Sequence, residues 1–152
     1  TYNDAGLLIK EEYEDTDYYY FVKEYFYDEN EKLVKDFLTL PHNYKEYSDY
    51  YYDNDGKLIK KETRHNDDYL EITEYYYDKN DLLIKELNRT SDEILYTILY
   101  QYNEQDLLSV KEYRDSGDYT STTNYTYEGT LLIKEENHST EGLTYTVIYY
   151  YE

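Results

Sequence analysis

The sequence predicts an all-β protein, an antiparallel up-and-down meander of about twelve strands built from six hairpin repeats of about 25 residues. Three observations predict it. The tyrosines Tyr2, Tyr27, Tyr52, Tyr77, Tyr102 and Tyr127 follow one another at intervals of 25, with Tyr151 24 further on, and a fixed period of this length marks a repeat architecture. Between them, alternating segments rich in Tyr, Leu, Ile and Thr are punctuated by two polar clusters per period, one short ("DENE", "DNDG") and one longer ("HNDD", "NRTSDE"). The chain also holds 27 Tyr but only 5 Gly and 1 Pro, a composition that favours strands. The expected units are 2–26, 27–51, 52–76, 77–101, 102–126 and 127–150 of a single repeat domain.

Each element has its own justification. At the short turn, Asp or Asn opens a type I turn that a left-handed residue closes; Gly6 and Gly56 suit that last position, and Glu31, Asp81 and Asp106 fill it elsewhere. A three-residue loop of this kind pairs Tyr27 with Leu33 and Tyr25 with Lys35, and by repetition Tyr52 with Leu58, Tyr77 with Leu83 and Tyr102 with Leu108. The sixth phrase, "YEGTLLIKE", is one residue short. A two-residue loop of Gly129 and Thr130, with Gly first as a type II′ turn requires, still pairs Tyr127 with Leu132 and Tyr125 with Lys134. The resulting Tyr–Leu ladder is expected to be the most buried part of the sheet, with Lys10, Lys35, Lys60, Lys85 and Lys134 on the same face. The opposite face, with Ile9, Val34, Ile59, Phe26, Tyr51 and Tyr76, is apolar enough to compete as the core.

Composition bounds the function. With 35 acidic against 15 basic residues the net charge is -20, which argues against binding phosphates in nucleic acid or at an anionic membrane. No stretch is long and apolar enough for a membrane-spanning helix. Each tyrosine ring buries a large area while its hydroxyl stays at a wet edge, so a chain poor in Leu, Ile, Val and Phe still folds. Absence of Cys suits a reducing cytosol and a disulfide-free exported protein alike. The chain opens at Thr1 in mid-phrase, which leads to the expectation of a processed or excised piece of a longer array.

The phrases "YDNDGKLIK" (52–60) and "YNDAGLLIK" (2–10) resemble the tyrosine–aspartate, or YD, repeats of the Rhs type, Tyr-Asp-x-x-Gly followed by Leu. The resemblance spans essentially the whole chain. It implies an exported bacterial protein of a Bacteroidetes-like variety, located at the cell surface, outside the cell or in the periplasm. It further implies hairpins joined into long antiparallel sheets that curl, wind as a solenoid or close into a barrel. In some members such sheets enclose a toxin, and carbohydrate binding has been proposed for others.

Candidate sites are weak beside this framework. The turn residues Asp28, Asp53, Asp55 and Asp78 offer alternate oxygens of the kind calcium loops use, yet Asp belongs in such turns for its backbone bonding alone. Tyr18, Tyr19, Tyr20, Tyr44, Tyr47 and Tyr69 lie outside the recurring ladder and are the candidate ligand-binding residues, as aromatic rings anchor sugars and protein partners. His42, His65 and His138 fall in different units and are not expected to share a metal. No nucleophile motif, phosphate-cradling glycine run or singled-out acidic pair is present. No enzyme activity, cofactor or nucleic-acid partner is therefore expected. The expected role is that of a scaffold, spacer or adhesion module, whose partner is a protein or carbohydrate at a surface, with head-to-tail self-association through sheet edges. A carbohydrate-binding module and a toxin-enclosing shell are the alternatives.

Overall fold

The structure is a computed structural model that describes residues 1–14, 20–66 and 69–151. Twelve strands form an antiparallel meander in which hydrogen-bonded neighbours follow chain order. They are β1 (Lys10–Glu14), β2 (Tyr20–Tyr27), β3 (Leu33–Thr39), β4 (Lys45–Tyr52), β5 (Leu58–His65), β6 (Tyr69–Tyr77), β7 (Leu83–Arg89), β8 (Ile94–Tyr102), β9 (Leu108–Asp115), β10 (Thr120–Glu128), β11 (Leu131–Ser139) and β12 (Gly142–Ile148). A 3-10 turn at Pro41–Asn43 is the one helical piece among the described residues. β1 and β12 are not neighbours in the strand order, so the expectation of a closed barrel is overturned. The chain divides within β6 into two compact units, Thr1–Thr73 and Glu74–Glu152, which are described in turn.

In the first unit the short turns form as the sequence predicts. Glu31 and Gly56 take positive φ (63 and 85), and their amides return to the carbonyls of Asp28 and Asp53 at 3.1 Å. The aspartate side chain completes the loop. Oδ1 of Asp28 accepts the amides of Asn30 and Lys32, both at 2.9 Å, and Oδ1 of Asp53 accepts those of Asp55 and Lys57 at 3.0 and 2.9 Å. These bonds satisfy backbone donors that the strand ladder cannot reach, which is why the position wants Asp or Asn.

Beyond each turn the register departs from expectation. Tyr27 pairs with Leu33, but Phe26 then pairs with Lys35 and Tyr25 with Asp36, leaving Val34 as a bulge. The same shift places Tyr52 opposite Leu58 and Tyr51 opposite Lys60, with Ile59 bulged. One extra residue reverses the facing of everything after it. The lysines expected beside the Tyr–Leu ladder therefore lie on the opposite face, and the carboxylates following them lie on the ladder face.

The second unit repeats this grammar. Asp81 and Asp106 have φ of 69 and 58, and Oδ1 of Asp78 and of Asn103 accept the same pairs of amides. Bulges recur at Ser109 and Ile133, so Tyr125 faces Glu135 rather than the expected Lys134. In the shortened loop Gly129 has φ 61 and Tyr127 pairs with Leu132, as expected for Gly leading a two-residue turn. The β9–β10 connection is built like the short turns. Oδ1 of Asp115 accepts the amides of Gly117 and Tyr119, and Asp118 takes φ 66.

Burial follows the ladder face, though not its apolar residues. Phe26, Tyr51, Ile59, Tyr76 and Ile84 on or beside the lysine face are exposed, whereas the ladder tyrosines from Tyr25 to Tyr127 are half-buried and only the end ones, Tyr2, Tyr149 and Tyr151, are exposed. Among the described residues no hydrophobic side chain is fully buried; the buried ones are Asp36, Ser48, Asn88, Thr123 and Asn137. The expectation that Tyr and Leu would be the most buried is corrected accordingly. Among the described residues the substantial contacts join strands adjacent in the sheet, so burial comes from the side. A short polar side chain between two tyrosine rings is covered from the side; a long apolar one protrudes.

Candidate functional site

Two rows of tyrosine hydroxyl bonds account for the ladder face. The anchor tyrosines Tyr27, Tyr52, Tyr102, Tyr127 and Tyr151 each donate to the carbonyl oxygen of the leucine 19 residues earlier: Leu8, Leu33, Leu83, Leu108 and Leu132, at 2.6–2.9 Å. The bulge frees that carbonyl from the regular ladder pattern, and the phenol reaches it from the next hairpin. In the second row Tyr25, Tyr50, Tyr100 and Tyr149 donate to the carboxylates 14 residues earlier, Glu11, Asp36, Glu86 and Glu135, at 2.8, 2.6, 2.5 and 3.3 Å. Desolvation, then the Glu11 bond, pushes the Tyr25 phenol up to about 12, and the same two causes, through Glu86, push Tyr100 higher still. The sequence motif "LIKEE" thereby acquires its logic. Its lysine stacks on the exposed rings, Lys60 4.0 Å from the Tyr51 centroid and Lys85 5.1 Å from that of Tyr76. The acidic residue after it caps a tyrosine.

The carboxylate position carries lysine twice, at Lys61 and Lys111. Lys61 lies 5.6 Å from the Tyr50 ring centroid. Around Lys111 the second unit has a polar hollow of about 360 Å³ spanning β8 to β12. Its floor is one row of register partners, Lys111, Thr123, Asn137 and Tyr145 on successive strands. Asn137 donates to Ser121 Oγ at 2.9 Å and Thr123 Oγ1 at 2.7 Å, and its Oδ1 accepts from Thr144. Glu135 accepts the hydroxyls of Tyr145 at 2.6 Å and Tyr149 at 3.3 Å. That bond, followed by desolvation, raises the Tyr145 phenol above its ordinary value. Sequence reasoning missed this group because Ser, Thr and Asn on a strand look like ordinary solvated positions; the signal was Lys111 at a position where four of the six repeats have Glu or Asp.

The tyrosines nominated from the sequence scatter. Tyr18 and Tyr19 lie outside the described residues. Tyr20, at the start of β2, lines a shallow hollow with Tyr13, Glu14 and Phe21. Tyr47 stacks on Phe37 across β3 and β4, centroids 4.6 Å apart, with the Lys45 ammonium 6.0 Å from the Phe37 ring. Tyr44 and Tyr69 do come together, on either side of His65. The Tyr44 hydroxyl is 2.8 Å from Nδ1, the two rings' centroids stand 6.2 and 5.6 Å from the imidazole, and Glu71 lies 3.5 Å from Nε2. His42 sits in the 3-10 turn and His138 on β11, apart from it in sequence and strand.

The turn carboxylates Asp28, Asp53 and Asp78 each hold two backbone amides on Oδ1, and those bonds keep the Asp53 carboxyl below its ordinary range. Among the described residues no group of three or more His, Cys, Asp or Glu is arranged to hold a metal ion, and no helix is long and apolar enough to cross a membrane. Comparison with protein-family models and with curated proteins finds no match.

Proposed function

We propose that this chain is a non-enzymatic, exported repeat module of a bacterial surface, a scaffold or spacer whose ladder face is available to a partner. One observation carries the reading. The same hydroxyl-to-carbonyl bond, 19 residues back, links successive hairpins at five positions of the chain, so the recurring residues serve to attach each hairpin to the one before it. Modules joined only to their neighbours lengthen without redesign. The YD-type phrases support the exported assignment by resemblance.

The test is to duplicate residues 52–101 in tandem and compare the two chains by small-angle scattering and circular dichroism. Strands lie about 4.8 Å apart, so four added strands extend the particle by up to roughly 19 Å with unchanged β-signal per residue. A lengthened chain that loses its sheet signal, or gains no length, would sink the spacer reading.

A further inference from the structure

The hollow around Lys111 differs from the rest of the ladder face in what its polar groups are bonded to. Asn137 is bonded on both its oxygen and its nitrogen, and Glu135 holds two tyrosine hydroxyls. Lys111 is half-buried, and among the described residues its side chain has neither an ion pair nor a hydrogen bond. Lys32, Lys61 and Lys85 are also half-buried without an ion pair among the described residues, but each lies 5.1–5.6 Å from a tyrosine ring centroid, and Lys111 lies over no ring. Elsewhere on this face Lys23 reaches Asp36 at 3.5 Å, and on the other face Lys35, Lys60 and Lys134 reach Asp49, Glu62 and Glu136. A half-buried lysine with no anion or ring beside its ammonium leaves that charge open to an anionic group from outside.

We propose that this hollow binds a uronic-acid residue of a surface polysaccharide, with Lys111 meeting the sugar carboxylate. The inference rests on the interaction-surface part of the proposed function and names the ligand class. Tyr113, Tyr125 and Tyr145 line the hollow, and tyrosine rings suit the C–H side of a pyranose. Ser121 and the Tyr113 hydroxyl offer bonds to its ring hydroxyls, and Glu135 accepts from them. Orientation follows from charge. Lys111 on β9 and Glu135 on β11 stand two strand spacings apart, roughly 10 Å, so the sugar carboxylate lies at the lysine end and its hydroxyls at the glutamate end. A volume of about 360 Å³ is at the small end for ligand pockets, suited to one or two sugar rings. The lining also disfavours a peptide side chain as occupant: hydroxyls, an amide and a carboxylate predominate over apolar atoms.

The experiment titrates the full chain with trigalacturonate and with galactotriose as its neutral counterpart, followed by backbone NMR shifts. Expected is binding of the uronate in the millimolar range or tighter, with shifts centred on Lys111, Tyr113, Ser121 and Tyr145 and weakening with added salt. Galactotriose should bind at least tenfold more weakly. Lys111→Glu, which introduces the acidic residue type of four of the other repeats, should remove the uronate response, and Lys111→Gln should reduce it at least tenfold. Lys61→Glu in the first unit should leave it unchanged, and thermal midpoints verify that each variant is folded. Equal binding of the neutral sugar overturns the acidic ligand. Tighter binding of an aspartate-containing peptide overturns the sugar. A uronate response that survives Lys111→Glu overturns the site. No response to either sugar overturns the inference while the duplicated chain still lengthens, which separates this failure from failure of the scaffold reading.

Discussion

Tyr52 reaches the Leu33 carbonyl at 2.7 Å while Tyr51, its neighbour in sequence, turns to the other face and touches Glu62 at 3.1 Å from an exposed position. The two hydroxyls differ in consequence. Removing the oxygen of Tyr52 leaves a part-buried carbonyl short of a partner, a loss of about 1 kcal/mol. Tyr51→Phe surrenders an exposed bond and should change stability by less than about 0.5 kcal/mol. Urea midpoints at constant slope measure both. Equal effects of Tyr52→Phe and Tyr51→Phe would mean that the recurring carbonyl bond does not hold the hairpins together. Asp36 shows the same residue-scale rule in a charged form: it is buried, and is held by the Tyr50 hydroxyl at 2.6 Å and the Lys23 ammonium at 3.5 Å.

At the scale of the element, the turn is set by an acceptor rather than by a charge. Asn3 and Asn103 hold the same two amides through Oδ1 that Asp53 holds, at 2.9–3.1 Å. Asp53→Asn should therefore be nearly neutral, whereas Asp53→Ala should lower the denaturation midpoint by leaving two turn amides without their acceptor. Chemical denaturation separates the two. An asparagine variant as damaged as the alanine one would show that the carboxylate charge matters more than its geometry. The bulge after each turn is the other decisive element. It directs Lys35 to Phe26 and Asp36 to Tyr25, so that lysines stack on the exposed rings and carboxylates bond phenols on the ladder face.

For the whole molecule, the phenols have an outsized influence on pH behaviour. Desolvation first, with neighbouring carboxylates adding to it, pushes Tyr25 and Tyr75 up to about 12 and raises Tyr50's counterparts Tyr100 and Tyr125 in the same direction. A tyrosine whose pKa is raised by folding stays protonated in the fold and ionises more readily once unfolded. Its contribution to stability is complete below the unfolded value of about 10 and is lost as pH rises through the folded value. Stability should thus be level up to about pH 9 and collapse between about 10 and 12, with tyrosinate absorbance at 295 nm rising together with loss of the β-signal. Complete ionisation by about pH 10.5 with the sheet intact would contradict this.

What the sequence determined by itself is the meander, the turns and the anchor pairs. The period of 25 marks the hairpins, and Gly56 and Glu31 occupy left-handed positions that the turn type requires whatever surrounds them. Tyr27 opposite Leu33 follows from loop length alone. Only the tertiary structure decided which face the charges take, because "LVKDF" and "LIKKE" alternate equally well in either register and a bulge at Val34 or Ile59 leaves no mark in the pattern. The same holds for the hollow at Lys111. Its residues stand on five separate strands, and neither their spacing nor their types bring them together until the ladder of neighbours is in place. Local backbone geometry is written into nearby residues, whereas the acceptor of a tyrosine hydroxyl 19 residues away is chosen by how adjacent hairpins pack.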